Sequence, residues 1–360
     1  MKKAVMIALT GLVLLLHACT ADSPEQQREK QESSAVAVSD KLDIPWSVAR
    51  SGDIFYVSER PGTIAEIDAQ GNTVHAPVHL EKELYAEGEG GLLGLELAAD
   101  FETTGNAYVY HTYEENGKLF NRLVLIKKNK GKWTERHPIL EEIPGAGIHN
   151  GGRVKLGPDG FLYVGTGDAG RPELAQQPDS LGGKILRINT EGNIPPDSPF
   201  SSVPVYSYGH RNPQGMAWDS AGRLFSTEHG QSAHDEINEI LPGRNYGWPD
   251  IQGSTMREGM EAPIFQTGES TWAPSGIAMG NDNLYIAGLR GEAIFKYSFS
   301  NKEAEVFIEG FGRIRDVFIE GDNLYFITNN GDGRGASELG GDRLYKVGIN
   351  GQKSGPGAVK

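Results

Sequence analysis

The sequence predicts an all-β fold, a six-bladed β-propeller, and three observations lead to this prediction. Short strands rich in aromatic and β-branched residues recur at intervals of roughly 40 to 60 residues. Turns of glycine, aspartate and asparagine separate them, and glycine alone occurs 48 times in the 360 residues. No amphipathic helix of ordinary length interrupts the pattern. Antiparallel units of this size suit radial repetition, because each unit then buries both faces against its neighbours.

Each predicted unit has a central strand and a later strand. The central strands are predicted at residues 54–57, 107–110, 161–164, 224–226, 284–287 and 324–328. The later strands are predicted at residues 64–67, 123–126, 184–188, 236–240, 293–297 and 343–347. A β-sandwich with long loops is the alternative, but sandwiches rarely carry so regular a turn pattern. No second domain is predicted, and residues 41–350 are assigned to one propeller domain.

Residues 1–19 have the features of a bacterial lipoprotein signal peptide. Two lysines precede an apolar run over residues 4–16, which is short for a membrane span. The run ends at a lipobox-like sequence whose last residue, Cys19, is the only cysteine of the chain. We therefore expect export, a lipid anchor at Cys19 and an extracytoplasmic location on the bacterial cell membrane, at the cell surface or in the periplasm. Ordinary signal-peptidase cleavage near Ala18 or Ala21 is the alternative.

Composition limits the partners of the protein. The chain has 48 acidic residues against 34 lysines and arginines, a formal net charge of −14 at pH 7. This balance argues against a nucleic-acid partner, because sequence-independent phosphate binding needs a basic surface. Residues 20–40 are polar and charged without an apolar period, which predicts a flexible tether, and residues 351–360 are predicted to be a disordered tail.

A predicted β-hairpin over residues 149–170 organises the candidate chemistry. Its turn centre falls between Pro158 and Asp159, and His149 precedes that centre by as many residues as Asp168 follows it. In an antiparallel pair such residues lie opposite one another at one end of the ladder. The spacing therefore predicts an imidazole next to a carboxylate on one rim, as when an acid orients a general base. A histidine that merely caps a loop beside a tight turn is the alternative.

The same construction brings further polar residues to this rim from the later units. Arg211 and Asn212 are predicted beside residues 228–230. The segments predicted at the same rim in the last two units are residues 271–274 with 289–290, and residues 313–315. The four arginines on this rim predict a small ligand with several negative charges, because a guanidinium binds a carboxylate bidentately. Surface ion pairs are the alternative for each arginine taken alone.

An ordered series of motifs makes the chain resemble a known family. The motifs are GGLLG at 90–94, HNGGR at 149–153, YGHRNPQG at 208–215, DEIN at 235–238, NYGWP at 245–249, APS at 273–275 and RIRD at 313–316. On these motifs the chain resembles the soluble quinoprotein glucose and sorbosone dehydrogenases, and within them the bacterial aldose sugar dehydrogenases. The resemblance runs from about residue 42 to residue 347. It implies a six-bladed propeller that uses pyrroloquinoline quinone (PQQ) and Ca²⁺.

The resemblance also implies roles for individual residues. His149 is implied to be the catalytic base and Asp168 the residue that orients it. The positions implied to hold the quinone are Glu89, Arg211, Asn212, Thr271, Arg290, Arg313 and Arg315. The positions implied to bind calcium are Gly230 and Gln231, through backbone carbonyls next to the quinone, and Glu236 and Tyr246 at a second, structural ion.

The implied reaction is oxidation of an aldose sugar at its anomeric carbon to a lactone. The base removes the hydroxyl proton as hydride leaves carbon for the quinone, and Ca²⁺ draws charge onto the quinone oxygen. A quinone or a redox protein is expected to take the electrons afterwards.

Four positions depart from the family pattern. Glu89 stands where the family commonly has glutamine, and an ionised carboxylate there repels an anionic cofactor unless it is protonated or paired with an arginine. Ile148 replaces an aspartate before the base. Arg290 replaces a lysine and Gln231 a proline, which preserves the charge and the backbone carbonyl respectively. The loop over residues 256–261 also lacks the tyrosine and aspartate expected at the second calcium site.

Two other functions compete with sugar oxidation. A calcium-dependent hydrolase of the lactonase type shares the scaffold, but it needs several acidic side chains on one metal at the axis, whereas the motifs in this sequence are mainly basic. A non-catalytic binding propeller descended from the dehydrogenases is favoured by Glu89 and Ile148. Binding of the quinone and turnover of sugar distinguish the three.

Overall fold

The computed structural model describes residues 35–335 and 341–350, and within these ranges the chain is almost entirely β-structure. The strands are β1 (Val36–Leu42), β2 (Pro45–Ser51), β3 (Ile54–Glu59), β4 (Thr63–Ile67), β5 (Thr73–His79), β6 (Leu92–Leu97), β7 (Asn106–Glu115), β8 (Lys118–Asn129), β9 (Lys132–Pro144), β10 (Val154–Leu156), β11 (Leu162–Thr166), β12 (Lys184–Ile188), β13 (Val205–Tyr208), β14 (Pro213–Trp218), β15 (Leu224–Glu228), β16 (Glu236–Ile240), β17 (Phe265–Gln266), β18 (Pro274–Gly280), β19 (Asn283–Gly288), β20 (Ala293–Ser298), β21 (Glu303–Glu309), β22 (Ile314–Glu320), β23 (Asn323–Thr328) and β24 (Asp342–Gly348). The helical segments are α1 (Phe101–Thr104) and two 3₁₀ turns, Pro172–Gln176 and Asn330–Asp332. The all-β prediction is confirmed, and every predicted central and later strand overlaps an observed one.

The strands form antiparallel runs of four in chain order. Four sheets contain β10 to β13, β14 to β17, β18 to β21, and β22 to β24 with β1. The remaining sheet has eight strands and consists of two such runs, β2 to β5 and β6 to β9. A short parallel pairing of β5 with β9, at Val78 opposite Trp133 and His79 opposite Thr134, joins the two runs. Consecutive strands within a run therefore pair antiparallel, either through short turns, as the turn residues predict, or through longer loops such as residues 241–264.

Strand β1 closes the last sheet with the first residues that the structure describes. It pairs with β24, with Val36 opposite Lys346 and Leu42 opposite Asp342. Residues 36–40, which the sequence predicts as the end of the tether, therefore belong to the folded domain, because they complete an edge of that sheet. The predicted signal peptide, most of the predicted tether and the predicted tail lie outside the described residues. Within the described ranges, no helix has the length and apolar character needed to cross a bilayer.

Sheets pack against their neighbours on both faces, so a central strand such as β11 carries apolar residues at successive positions, Leu162, Tyr163 and Val164. In β11, Leu162 and Val164 pack into one core cluster with residues of the preceding sheet. Tyr163, which points to the opposite face, packs into another cluster with Met216 and Leu224 of the next sheet. A further cluster packs residues of β2 and β3 against β23 and β24, so the first and last sheets are also in contact. Each fully buried Leu or Val side chain contributes roughly 1.5–3 kcal/mol.

The first strands of the sheets meet around a buried ion pair. Arg153, next to β10, donates from Nη1 to Asp316 Oδ2 in β22 at 2.8 Å and to Ser47 Oγ in β2 at 3.0 Å. Its Nε donates to the carbonyl of Gln214 in β14 at 2.8 Å. Both charged side chains are almost fully buried. Gly276 in β18 leaves the carboxylate its space, since a Cβ there would lie 1.6 Å from Asp316 Oδ1.

Replacing Arg153 by methionine should therefore destabilise the fold strongly. The substitution leaves the Asp316 carboxylate buried without its partner, and we expect the free energy of unfolding to fall by about 3–5 kcal/mol. Unfolding in urea, followed by tryptophan fluorescence, measures the change.

The matched control is Arg223→Met. Arg223 bonds Asp219 at 2.7 Å in a pair whose arginine is half exposed, so its removal should cost only about 0–1 kcal/mol. Equal losses from the two substitutions would contradict the role assigned to the buried pair.

Candidate functional site

The predicted pairing of His149 with Asp168 is present. Strands β10 and β11 pair with Val154 opposite Val164 and Leu156 opposite Leu162. This register is shifted by one residue from the predicted one, in which Val154 would lie opposite Tyr163, but it still leaves His149 and Asp168 at the same end of the ladder. Beyond the strand ends, His149 Nδ1 lies 2.8 Å from Asp168 Oδ1. The carboxylate is the acceptor at Nδ1, so we assign the proton to that nitrogen and leave Nε2 free to take a proton. Asp168 is fully buried, whereas the imidazole is slightly exposed.

Asp168 is itself fixed by two further donors. Its Oδ1 accepts from Gly170 N–H at 2.8 Å, and its Oδ2 accepts from Trp248 Nε1–H at 2.9 Å. The Trp248 ring also lies 5.3 Å from the guanidinium carbon of Arg211, a cation–π contact. The buried carboxylate therefore connects the imidazole of one hairpin to the loop that follows β16.

The backbone of His149 has an uncommon conformation. Its φ is 55°, in the left-handed region that residues other than glycine seldom adopt. The His149 carbonyl accepts from Ala169 N–H at 3.1 Å, and its N–H donates to Glu89 Oε2 at 2.9 Å. Gly167 leaves room for this carbonyl, because a Cβ at that position would lie 1.8 Å from the His149 oxygen.

A cavity of about 450 Å³ opens in front of His149. Eight of the predicted site residues line it: Glu89, His149, Arg211, Gly230, Gln231, Thr271, Arg290 and Arg313. The lining residues for which the sequence predicted no role are His229, Ser232, Asp235, Ala273, Leu289, Glu292 and Arg334. The cavity thus brings together residues from five different sheets or half-sheets.

The arginines at this cavity differ in how far they are already paired. Arg211 donates to the carbonyl of His229 at 3.4 Å, and its buried Nε has no partner among the described residues. Arg313 forms an ion pair with Asp332 at 2.9 Å and donates to the Leu289 carbonyl at 3.1 Å. Arg290 is exposed at the rim.

Two predicted cofactor-binding residues do not line the cavity. Asn212 is buried, and its Oδ1 accepts from Gly151 N–H at 3.0 Å. Arg315 is buried below Arg313 and donates to Asn329 and Gln214. Burial and the nearby charge of Arg313 lower the pKa of Arg315 to about 9. Neither Asn212 nor Arg315 is among the residues that line the cavity, and their predicted roles in holding the cofactor stay predictions.

Glu89 is ionised and paired. Its Oε1 lies 2.9 Å from Arg334 Nη1, and its Oε2 accepts from His149 N–H. Burial alone would raise the pKa of Glu89, but the hydrogen bond from His149 and the ion pair with Arg334 together lower it. An acid at position 89 is expected to be compatible with an anionic cofactor only if it is protonated or paired with an arginine. The structure shows the second arrangement, with Arg334 as the partner.

Asp235 organises the loop that carries the predicted carbonyl ligands. Its Oδ1 accepts from Gly230 N–H at 2.9 Å. Its Oδ2 accepts from Thr271 Oγ1–H at 3.1 Å, from Trp272 N–H at 2.6 Å and from Ala273 N–H at 2.8 Å. Within the described ranges, no residue donates to the carbonyl oxygens of Gly230 and Gln231. Oxygen atoms of this kind are the ligands that Ca²⁺ takes in proteins.

Glu236 and Tyr246 have other partners. Glu236 stands opposite Glu228 in the β15–β16 pairing, and burial together with the Glu228 charge raises its pKa. The Tyr246 hydroxyl donates to the Glu239 carbonyl at 2.6 Å and accepts from Leu241 N–H at 2.8 Å. In the described part of the chain, no three or more His, Cys, Asp or Glu side chains are grouped to hold a metal. The second calcium site stays a prediction.

Sequence features pointed to two of the cavity-lining residues that had no predicted role, His229 and Asp235. His229 follows Glu228 in the segment predicted beside Arg211, and Asp235 begins a recognised motif. Burial lowers the pKa of His229 to about 4, so its ring is neutral near pH 7. Arg334 carried no signal, because it lies in the irregular segment after β23, where the hairpin construction does not extend.

Comparison with known proteins agrees with this geometry. Residues 42–339 match the family model described as glucose/sorbosone dehydrogenase. The chain belongs to this family. The aldose sugar dehydrogenase of Escherichia coli strain K12 is 31% identical over 338 residues, covering 82% of this chain and 89% of that relative. The quinoprotein glucose dehydrogenase B of Acinetobacter calcoaceticus is 35% identical over 198 residues, covering 47% of this chain and 41% of that relative.

A solved structure is similar over nearly its whole length. The PQQ-bound form of an aldose sugar dehydrogenase from Streptomyces coelicolor superposes with a TM-score of 0.82 at 38% identity. The superposition covers 88% of this chain and 98% of that one. The family predicted from the motifs is confirmed.

Glu89→Gln should change how stability depends on pH. Because the folded-state pKa of Glu89 lies below its ordinary 4.5, the carboxylate stabilises the fold above that pH and loses this effect as pH falls through the lower value. The difference in unfolding free energy between the wild type and Glu89→Gln should therefore shrink as pH falls below 4.5. Urea unfolding of both proteins over a pH series measures it.

Arg334→Met is the control, since it keeps the carboxylate and removes its cation. The stability of this variant should depend less on pH than that of the wild type over the same range. A wild-type advantage over Glu89→Gln that grows as pH falls would contradict the lowered pKa of Glu89.

Proposed function

We propose that this protein oxidises aldose sugars at the anomeric carbon to lactones, with PQQ as hydride acceptor, Ca²⁺ as electrostatic aid and His149 as general base. The observation that carries the proposal is the His149–Asp168 pair at a cavity lined by guanidinium groups. The names of the Escherichia coli and Streptomyces coelicolor relatives, both aldose sugar dehydrogenases, support the substrate class.

The donors at the cavity suit a flat anion. PQQ carries several carboxylates, and Arg211, Arg290 and Arg313 would hold them, with the Thr271 hydroxyl beside them. The buried Nε atoms of Arg211 and Arg313 have no partner among the described residues and supply unused N–H donors. The volume of about 450 Å³ is in the usual range for a small-molecule site.

The carbonyl oxygens of Gly230 and Gln231 would hold Ca²⁺ beside the quinone. They belong to a loop that Asp235 fixes from below, so they need little reorganisation to bind a cation. The bound cofactors supply a two-electron acceptor for the anomeric hydride and a positive charge next to it.

The protein contributes the proton chemistry. His149 Nε2 accepts the proton of the anomeric hydroxyl while the C–H bond breaks and the C=O bond of the lactone forms. Asp168 holds the ring in the tautomer that leaves Nε2 free and stabilises the imidazolium that forms. Trp248 and Gly170 keep Asp168 in place, so the ring needs no reorientation during the step. The electrons then pass to an external quinone or redox protein.

We propose six blades, made of the four separate sheets and the two halves of the eight-stranded sheet. Six core clusters in the described residues support this count, because each packs residues of one run against the next and one packs the last run against the first. A lactonase-type hydrolase is disfavoured, because the axis holds the Arg153–Asp316 pair instead of a set of acids.

The direct test is reconstitution. The purified protein, stripped with chelator and reloaded with PQQ and Ca²⁺, should oxidise aldoses with a dye acceptor, and omission of either component should remove the activity. His149→Ala should lower kcat by about 10²–10⁴-fold and leave quinone affinity within a few-fold of wild type.

Three outcomes would contradict the proposal in different ways. Absence of quinone binding by the wild type would remove the enzymatic function. Quinone binding without turnover by the wild type would indicate the non-catalytic binding propeller. Equal loss of binding and turnover in His149→Ala would mean that the role of His149 is wrongly assigned.

We also propose export and lipid attachment at Cys19, supported by the lipobox-like sequence and by the absence of another cysteine from the chain. In bacterial cells fed labelled palmitate, the wild type should carry label and sediment with membranes, and Cys19→Ser should lose both properties. Retention of Cys19→Ser with membranes would contradict the anchor.

A further inference from the structure

An ion pair crosses the mouth of the cavity between two distant parts of the chain. Glu89 lies in the segment before β6, and Arg334 follows the 3₁₀ turn Asn330–Asp332, 245 positions further along the chain. Both residues line the cavity. Oε1 of Glu89 bonds Arg334, whereas Oε2 accepts from the backbone N–H of His149. The carboxylate thus links the proposed base to a cation across the site.

Glu89 is firmly held by its own segment. Its N–H donates to the Gly147 carbonyl at 2.9 Å, and Arg60 donates to the carbonyls of Gly90 at 2.9 Å and Gly88 at 2.5 Å. The Glu89 carboxylate is therefore a fixed hydrogen-bond acceptor for the backbone N–H of His149. A hydrogen bond from an amide to an ionised carboxylate is stronger than one between neutral groups.

The bond to Glu89 falls on a strained residue. His149 has φ of 55°, and a non-glycine residue persists in this region only where its surroundings fix it. The ring is fixed by Asp168 and the carbonyl by Ala169, so Glu89 supplies the remaining contact, at the N–H.

The same carboxylate creates an electrostatic problem. A lone negative charge at the mouth would repel an anionic ligand in a medium of low dielectric constant. Arg334 is half exposed, and its Nη1 contacts the carboxylate directly, so the pair as a whole is neutral. A neutral glutamine could accept the same bond from His149 but would not require the arginine.

We propose that Glu89 and Arg334 act as one unit, in which Glu89 positions the base through its backbone N–H and Arg334 cancels the carboxylate charge so that the cavity still accepts an anion. Glu89 is thereby a positioning residue for His149, and Arg334 determines how tightly the cavity binds an anion. The inference rests on the proposed function for the identity of the anion, but its geometry concerns only residues of this chain.

The first arm of the test measures positioning in the protein without cofactor. Selective ¹⁵N-histidine labelling gives few amide signals, since the chain has 9 histidines, and His149→Gln assigns the signal of interest. Hydrogen exchange at the His149 amide should accelerate about tenfold or more in Glu89→Ala and stay within about threefold of wild type in Glu89→Gln. Unchanged exchange in Glu89→Ala, or equal acceleration in both variants, would overturn the positioning role.

The second arm measures charge compensation by titrating two planar probes, PQQ and the redox-inactive anion benzene-1,3,5-tricarboxylate. Arg334→Met should raise the Kd of both probes about tenfold or more, because it leaves Glu89 unpaired. Glu89→Gln combined with Arg334→Met should return the Kd to within about threefold of wild type, since the net charge is restored. A double variant as weak as Arg334→Met would overturn the compensation.

The probes separate this inference from the proposed function. Binding of the tricarboxylate with the expected pattern, without binding of PQQ, would support the pair and contradict the dehydrogenase. Failure of the wild type to bind either anion would overturn the compensation. Thermal unfolding of each variant confirms that the proteins compared are folded.

Discussion

The buried contact between Arg153 and Asp316 is the constraint on which the rest of the structure depends. It brings the inner strands of separate sheets to one point, where Arg153 also bonds Ser47 and the carbonyl of Gln214. The Trp46 ring lies 4.5 Å from the guanidinium carbon of Arg153 and covers its face. Two opposite charges removed from water at the centre are stable only when each has its partner, so the sheets that supply them cannot move apart independently.

The cavity takes its geometry from this rigid centre. Several side chains at its rim lie just outside strand ends, as His149 does before β10 and Arg313 before β22. Asp168 then joins the β10–β13 sheet to the β14–β17 sheet through His149 and Trp248, while Asp235 joins the β14–β17 sheet to the β18–β21 sheet through Gly230 and Thr271. Two buried acids thus align the parts of a site that has mainly basic residues at its surface. Such preorganisation suits proton transfer and anion binding, which both depend on fixed dipoles.

Hairpin symmetry explains how much the sequence could predict. The turn between β10 and β11 was enough to bring His149 and Asp168 to one rim, although the observed register is shifted by one residue from the predicted one. The same reasoning brought Arg211, Arg290 and Arg313 to the cavity. Arg315 was predicted at the same rim, but it lies at an irregularity of the β22–β23 pairing and is not among the residues that line the cavity. It could not reach Arg334, whose position depends on a segment without regular pairing and on a partner far away in the chain.

The pairing of β1 with β24 has a consequence for synthesis of the protein. The strand that comes first in the folded domain finds its neighbour only among the last residues of that domain. While a ribosome is still making the chain, the partner of β1 does not exist, and the sheet to which it belongs cannot be completed. Final closure must therefore wait until translation of the domain has ended, and a nascent chain stays open until then.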